Sequence, residues 1–295
     1  MDKKSCRCAV VTGANKGIGL EICKQLANDG IHVVLTARDA TRGVEAVTIL
    51  NSHLIIFHQL DVMNKDSIAS LATFINNHFG KLDILVNNAG IGGVTVDLES
   101  YNLQKDKQNA NKADLLINLT TQTYEMAEEC VETNYYGIKR VTEALLPSLL
   151  LSDSPRIVNV SARIGKIESI PSETIKQELS NIDLLTREKL DELLARFLKD
   201  FERGALESEG WPLNLSAYRV SKAAANAYTR ILAKENAAGL CVNCVCPGFV
   251  KTDMNSNMGT LTVEEGAKGA VMLALLPKDE TISGMFYQGT QLSNF

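Results

Sequence analysis

Short apolar runs rich in β-branched residues recur along the chain: "CAVV", "HVVLTA", "LIIFHQLD", "LDILVNNAG", "RIVNVSA", "CVNCVCPG" and "GMFYQG". Segments of helical character separate most of them, for example 17–29, 64–79 and 122–146. Strands that alternate with helices imply right-handed crossovers and a parallel sheet covered on both faces. The expected fold is therefore α/β, a Rossmann-type doubly wound parallel sheet. No Gly/Ser linker or shift in composition divides the chain, so residues 1–295 are expected to form a single domain.

Two segments fall outside the minimal alternation. Residues 92–121 are polar, contain "NLQKDKQNANKADLL", and read as a long loop with some helix. Residues 166–213 hold "LTREKLDELLARFLKDF", where Leu190, Leu193, Leu194, Phe197, Leu198 and Phe201 repeat at i, i+3, i+4, i+7, i+8 and i+11. That spacing predicts an amphipathic helix whose stripe packs on the main body. Long insertions beside a site often form lids, and both segments are candidates for a substrate lid.

Composition narrows the function classes. The 295 residues are 45% hydrophobic and 22% charged, ordinary for a globular protein, with a net charge of −5. Cations are scattered without a basic run, which argues against a nucleic-acid partner. "MDKKSCRCAVV" lacks the apolar core of a signal peptide, and no apolar run approaches the ~18 residues of a membrane span. A cytoplasmic location and no membrane partner are expected. Seven cysteines, an odd number, then read as free thiols. Cys241, Cys244 and Cys246 lie in one β-like run without a nearby histidine, so buried thiols are expected there rather than a metal site.

The first strand runs directly into "TGANKGIG", Thr12 to Gly19. Glycines at 13, 17 and 19 allow a tight turn and close approach to a diphosphate, and the next helix offers unpaired N–H groups to it. The second strand ends in "LTARD", with Arg38 just past it and Lys16 inside the glycine loop. Two cations near one adenosine ribose favour NADPH over NADH, with Asp39 as contrary evidence. The strand "DILVNNAG" ends in Asn87 and Asn88, amides that need partners a cofactor would supply. In "SAYRVSKAAANAYTRILAKE", Tyr218 and Lys222 share one helix face. A phenol of pKa about 10 is a sluggish donor at neutral pH, and a close ammonium would bring it toward the working range. "VCPGFVKTDM" adds a strand and a Pro–Gly turn suited to the nicotinamide end.

Taken in order, TGANKGIG, NNAG, Asn134, Tyr218-x-x-x-Lys222 and PG-x-V-x-T span almost the whole chain. The joint pattern resembles the short-chain dehydrogenase/reductase family. "VVLTARDATRG", "FHQLD", "AEECVETNYYG", "SDSPRIVNVS" and the insertion before Tyr218 resemble its carbonyl-reductase branch, including plant reductases of alkaloid and terpenoid ketones. The resemblance implies that Tyr218 protonates the developing alkoxide while NADPH delivers hydride. Lys222 would hold the nicotinamide ribose and lower the tyrosine pKa, and Asn134 would position a water in the proton relay. Gly13, Asn15, Lys16, Gly17, Ile18, Gly19, Arg38, Asp61, Val62 and Asn88 would contact the cofactor, with Tyr218, Lys222, Pro247, Gly248, Val250 and Thr252. The insertion at 166–213 resembles the one that covers the pairing surface in monomeric carbonyl reductases, so a monomer is expected.

The chain departs from the family at one position. The resemblance calls for a catalytic serine three residues before Gly165, and Ala162 stands there, preceded by Ser161 and followed by Arg163. Neighbouring residues of an extended strand face opposite ways, so Ser161 is not expected to substitute. Three accounts of Ala162 stand side by side: an engineered serine-to-alanine change, a natural enzyme whose second donor lies elsewhere, and a protein selected for binding. The functional expectation is NADPH-dependent reduction of a ketone on a bulky alkaloid or monoterpenoid to a secondary alcohol. The alternatives are a weakly catalytic NADP-binding protein and an ene-reductase.

Overall fold

The computed structural model describes residues 6–97, 99–100, 119–236 and 239–295. Strands β1 (Cys8–Val11), β2 (His32–Ala37), β3 (Ile55–Gln59) and β4 (Ile84–Asn87) are joined by helices α1 (Gly17–Asn28), α2 (Ala40–Leu50) and α3 (Lys65–Phe79). A short antiparallel pair, β5 (Thr95–Val96) and β6 (Thr120–Thr121), follows outside the main sheet. Then come α4 (Tyr124–Val131), a π-helical turn (Glu132–Tyr136), α5 (Gly137–Leu149), β7 (Arg156–Val160), α6 (Glu173–Ser180) and α7 (Arg187–Glu202). Helix α8 (Ser216–Glu235), β8 (Cys241–Cys246), α9 (Val263–Ala274), β9 (Phe286–Gln288) and β10 (Gln291–Ser293) complete the order.

The main sheet runs β10-β9-β8-β7-β4-β1-β2-β3, parallel throughout except for the antiparallel edge pair β9–β10. The strand order reverses at β1, where β4 lies on one side and β2 on the other, and ligands of open α/β sheets bind beyond the strand ends at such a switch point. Alternation along each strand explains the double-sided core. Cys8 and Val10 enter one apolar cluster with Leu85, Ile157 and Val242, whereas Ala9 and Val11 enter the other with Val33, Val86 and Val158. Local signals set the helix ends. Asn64 accepts from the N–H groups of Asp66 and Ser67 at the start of α3, and Gly80 closes it with φ +75°.

All seven expected strand runs form strands. The expected continuous helix 122–146 is instead interrupted by the π turn, whose extra residue places Asn134 inward. The apolar stripe of α7 packs on the main body: Leu190, Leu193, Leu194 and Phe197 are buried in the same cluster as α4, α5 and α8. Polar contacts tie the same helix down. Tyr135 donates to Asp191 Oδ1 at 2.8 Å, Lys139 pairs with Asp191, and Arg187 joins Glu143 at 3.1 Å and also Glu235. Trp211, fully buried, donates to Asp200 Oδ2 at 2.9 Å. Cys241, Cys244 and Cys246 are buried free thiols, two of them packed against Phe286. Residue 98 and residues 101–118 of the polar segment lie outside the described residues. Among the described residues, no helix is long and apolar enough to cross a membrane.

Candidate active site

A cavity of about 730 Å³ opens beyond the C-terminal ends of β1, β2, β3 and β4, at the strand-order switch. Of the residues expected at a cofactor, Gly13, Asn15, Lys16, Gly17, Ile18, Gly19, Arg38, Asp61, Val62, Asn88 and Thr252 line it. Pro247, Gly248, Val250, Tyr218 and Lys222 do not; Val250 is buried, in a bridge with Leu261 and against Gly266. None of residues 166–213 lines the cavity either.

Backbone geometry shows why the first loop needs glycine. Gly13 has φ +61° and Gly17 φ +59°, the left-handed region that side chains disfavour. A Cβ on Gly13 would lie 2.8 Å from Ala89 Cα, and one on Gly19 would lie 2.5 Å from Asn88 Nδ2. The loop is braced by Thr12, whose Oγ1 accepts from the N–H groups of Asn88 at 2.9 Å and Ala89 at 3.0 Å. Asn88 Nδ2 in turn donates to the carbonyls of Thr12 and Gly13, both at 3.0 Å. The Asn88 and Asn87 amide nitrogens therefore find their partners in the protein and not in a cofactor, whereas Asn87 Oδ1 is buried without a partner. Asn87 Nδ2 donates to Thr142 and to Asn159 Oδ1 at 2.8 Å, which locks β4 to β7. This bare, preformed cradle fits the diphosphate of a dinucleotide.

At one end of the cavity stand Arg38, Asp39 and Arg42. Asp39 caps α2, accepting from Arg42 N at 3.0 Å, and its carboxylate also lies 3.9 Å from Arg42 Nε. The carboxylate that argued against a 2′-phosphate is thus a helix cap, already facing a cation. Arg42 was not among the expected residues, although its position four residues after Arg38 is a usable signal. Lys16 Nζ lies 2.7 Å from Asp253 Oδ2, so the glycine loop is tethered to the segment after β8 across the cavity mouth. Asp253 carries no sequence signal of its own.

At the other end Gly90 stands between the cavity and the groups expected to transfer a proton. A Cβ on Gly90 would lie 3.1 Å from Asn134 Oδ1 and 3.4 Å from Lys222 Nζ. Asn134 is fully buried; its Oδ1 accepts from Ile91 N at 2.8 Å, and its Nδ2 donates to Ile91 O at 2.9 Å and Ser221 Oγ at 3.1 Å. Lys222 is buried beside it, donates to Val160 O at 2.8 Å, and lies 5.7 Å from the centroid of the Tyr218 ring. Tyr218, Lys222 and Asn134 are thus brought together. One electrostatic expectation is reversed: the Tyr218 phenol is pushed up, first by burial and then by the thiols of Cys130 and Cys246. Burial likewise pushes Lys222 down to about 8, against smaller opposing effects from nearby thiols. Desolvation dominates, and the ammonium is turned toward the Val160 carbonyl. The phenol therefore stays protonated at neutral pH, the state of a proton donor.

Ala162 is extended (φ −148°, ψ 150°), and Ser161 points the other way. Ser161 is buried, its hydroxyl donating to Asn226 Oδ1 at 2.6 Å, while Asn226 Nδ2 donates to Gly165 O at 3.0 Å. Ser161 thus clasps the turn to α8 and does not replace the missing hydroxyl. Arg163 is exposed at the start of that turn.

Residues 7–175 match the family model described as short chain dehydrogenase, and residues 206–282 match one described as Enoyl-(Acyl carrier protein) reductase. The interval between them contains α7. The chain is 52% identical to a (+)-neomenthol dehydrogenase of Arabidopsis thaliana over 301 aligned positions, covering 100% of both chains. The solved structure of salutaridine reductase from Papaver somniferum superposes with a TM-score of 0.89 at 50% identity, covering 95% of this chain and 99% of that one. Menthone neomenthol reductase from Mentha piperita superposes with a TM-score of 0.83 at 43% identity, covering 97% and 100%.

Proposed function

The chain belongs to the short-chain dehydrogenase family and is an oxidoreductase of that type, and from that premise we propose that it reduces a ketone on a bulky plant metabolite to a secondary alcohol with NADPH. The observation that carries this reading is the junction at Gly90, where a cavity bearing Arg38, Arg42 and Lys16 meets the buried Asn134 and Lys222. The names of the relatives, a (+)-neomenthol dehydrogenase, a salutaridine reductase and a menthone neomenthol reductase, support the substrate class.

The glycine-loop backbone would hold the diphosphate, and Arg38, Arg42 and Lys16 would face a 2′-phosphate, which only the phosphorylated cofactor carries. When bound, NADPH supplies the hydride. Tyr218, held protonated by burial, donates its proton to the developing alkoxide. Lys222 would fix the ribose and carry positive charge beside the phenol below pH about 8. Asn134, clamped through both backbone groups of Ile91, keeps the π turn open for a water that returns the proton. Val94 and Val96 line the cavity, which supports a lid role for the start of segment 92–121. Helix α7 covers α5 and α8 with an apolar stripe and three ion pairs, which supports a monomer.

Ala162 favours a second reading, a nicotinamide-binding protein with negligible turnover. NADPH absorbance followed with a panel of monoterpenoid and alkaloid ketones, with product identification, separates the readings. A new secondary alcohol supports reduction, and a saturated ketone from an enone identifies an ene-reductase. No turnover in this chain or in Ala162→Ser, with NADPH bound tightly by both, sinks the reductase.

A further inference from the structure

Helix α8 carries Tyr218 and Lys222, but the two are not equally anchored. Lys222 lies in the second turn, buried, and donates to Val160 O at 2.8 Å. Tyr218 is the third residue of the helix and so belongs to its first turn. The earliest backbone bond there runs from Arg219 N to Leu215 O at 2.8 Å, so the N–H groups of Ser216, Ala217 and Tyr218 precede the helical ladder. A first turn frays unless an acceptor outside the ladder holds it.

The residue at the head of the helix supplies no such acceptor. Leu215 stands at the N-cap position in the left-handed region, φ +52°, with an apolar side chain. The acceptor comes instead from ninety-four residues away. Gln122 Oε1 accepts from Ser216 N at 3.1 Å and from Ser216 Oγ at 2.6 Å, and Ser216 is fully buried. The other end of the same amide, Nε2, donates to Gly93 O at 3.1 Å. Gln122 directly follows β6 and Gly93 lies two residues before β5, so the amide sits at the base of the β5–β6 pair. Gly93 is itself seated on α4: its φ is +62°, and a Cβ there would lie 2.5 Å from Cys130 Cβ. Val94 and Val96 of the same arm line the cavity. One side chain thus joins the cavity wall to the helical turn that bears the phenol.

We propose that Gln122 is a positioning residue for Tyr218: it caps α8 from outside the helix and holds the first turn, and with it the phenol, in place beside Lys222. This deepens the ketone-reductase reading and rests on it. The placement of the phenol counts for more in this chain because Ala162 brings no hydroxyl to share in orienting the ketone.

The test compares two variants at one position. Gln122→Met keeps the length of the side chain and removes both of its hydrogen-bonding ends. Its kcat at saturating NADPH and ketone should fall about fivefold or more, as expected for a lost helix cap, with NADPH affinity changed less than about twofold. Gln122→Glu keeps the acceptor facing Ser216, adds a negative charge that a helix start favours, and gives up only the donor to Gly93. It should recover kcat to within about twofold of the native chain. An unchanged kcat in the Met variant, or a Glu variant no faster than the Met variant, overturns the proposal. Where the native chain reduces no ketone, the reductase reading fails on its own, and hydrogen exchange of the amides of residues 214–222 in the NADP-loaded protein decides this one. Faster exchange in the Met variant, restored to the native rate in the Glu variant, supports it. Native protection in the Met variant, or equal loss in both variants, overturns it.

Discussion

At the glycine-loop end of the cavity most of the framework's amides and hydroxyls are answered from within the chain, although Asn87 Oδ1 is buried without a partner. Thr12 and Asn88 bond to backbone groups of each other's segments, Asn87 bonds to the Thr142 and Asn159 side chains, and Gly13 and Gly19 fit against Ala89 and Asn88 with no room for a Cβ. At the far end the framework is as tightly tied, through Asn134 to Ile91, Lys222 to Val160 and Ser161 to Asn226, but the groups meant for chemistry are fewer. Tyr218 is the proposed donor there, and Ala162 contributes nothing beyond a methyl group. On that proposal the binding end is preformed while the reacting end is reduced to one hydroxyl. The contrast separates what holds a cofactor from what turns it over, and the two ends should respond differently to substitution.

The largest effect is expected at Tyr218. Tyr218→Phe removes the remaining donor and should lower kcat by roughly 10³, within the usual range for a general acid, with NADPH affinity changed little. Stopped-flow or steady-state absorbance gives the rate, and quenching of the Trp211 fluorescence or calorimetry gives the affinity. A Phe variant that turns over at the native rate would mean that the proton comes from elsewhere. Ala162→Ser is the complementary test. Restoring a hydroxyl on the strand face opposite Ser161 should raise kcat by about 10², because a lost oxyanion donor typically costs 10²–10³. The reverse change at the neighbouring position, Ser161→Ala, should lower thermal stability through the lost bond to Asn226 and leave the rate constant of the folded enzyme nearly unchanged.

How far this was readable beforehand depends on the range of the interaction involved. The seven strands were legible because strands buried on both faces are short, apolar and β-branched, and the glycine loop because its spacing is local. The α7 stripe was legible for the same reason, as a period within one helix. What escaped depended on contacts between distant segments. The π turn exists where Asn134 reaches Ile91, forty-three residues away, so the helical pattern of 122–146 carried no trace of it. Asn88 lines the cavity, but its amide serves Thr12 and Gly13. The direction of the Tyr218 shift also escaped: a Tyr-x-x-x-Lys spacing puts two groups on one face, whereas burial of both, which decides the sign, is a property of the packed core.

That sign makes a pH prediction. Lys222 is held down to about 8 chiefly by burial, so its charge is present below that value and lost as pH rises through it. The reductive rate at saturating NADPH should be flat from pH 6 to about 7.5 and then fall as pH passes 8, approaching tenfold for each further unit. A profile that stays flat to pH 10 would mean that Lys222 keeps its proton there or that its charge is irrelevant to the slow step.

The smallest effect tests the cofactor end through Lys16 and Asp253, which bridge the cavity mouth at 2.7 Å with both side chains more than half exposed. An exposed pair of this kind contributes about 0–1 kcal/mol, so the bridge is a weak strap. Its carboxylate nevertheless stands next to the cations proposed to meet a 2′-phosphate, and a negative charge there opposes a second one. Asp253→Asn keeps the side-chain size, frees Lys16 and makes the mouth more positive. NADPH should bind about two- to fivefold more tightly in the Asn variant, with NADH changed less, and the gain should shrink between low and high salt because the charges are exposed. The opposite result, weaker binding of NADPH and NADH alike with faster release, would identify the bridge as a strap that closes over the cofactor instead of a rival for Lys16. Titration of both nucleotides at two ionic strengths distinguishes these cases, because competition for Lys16 depends on the 2′-phosphate and closure does not.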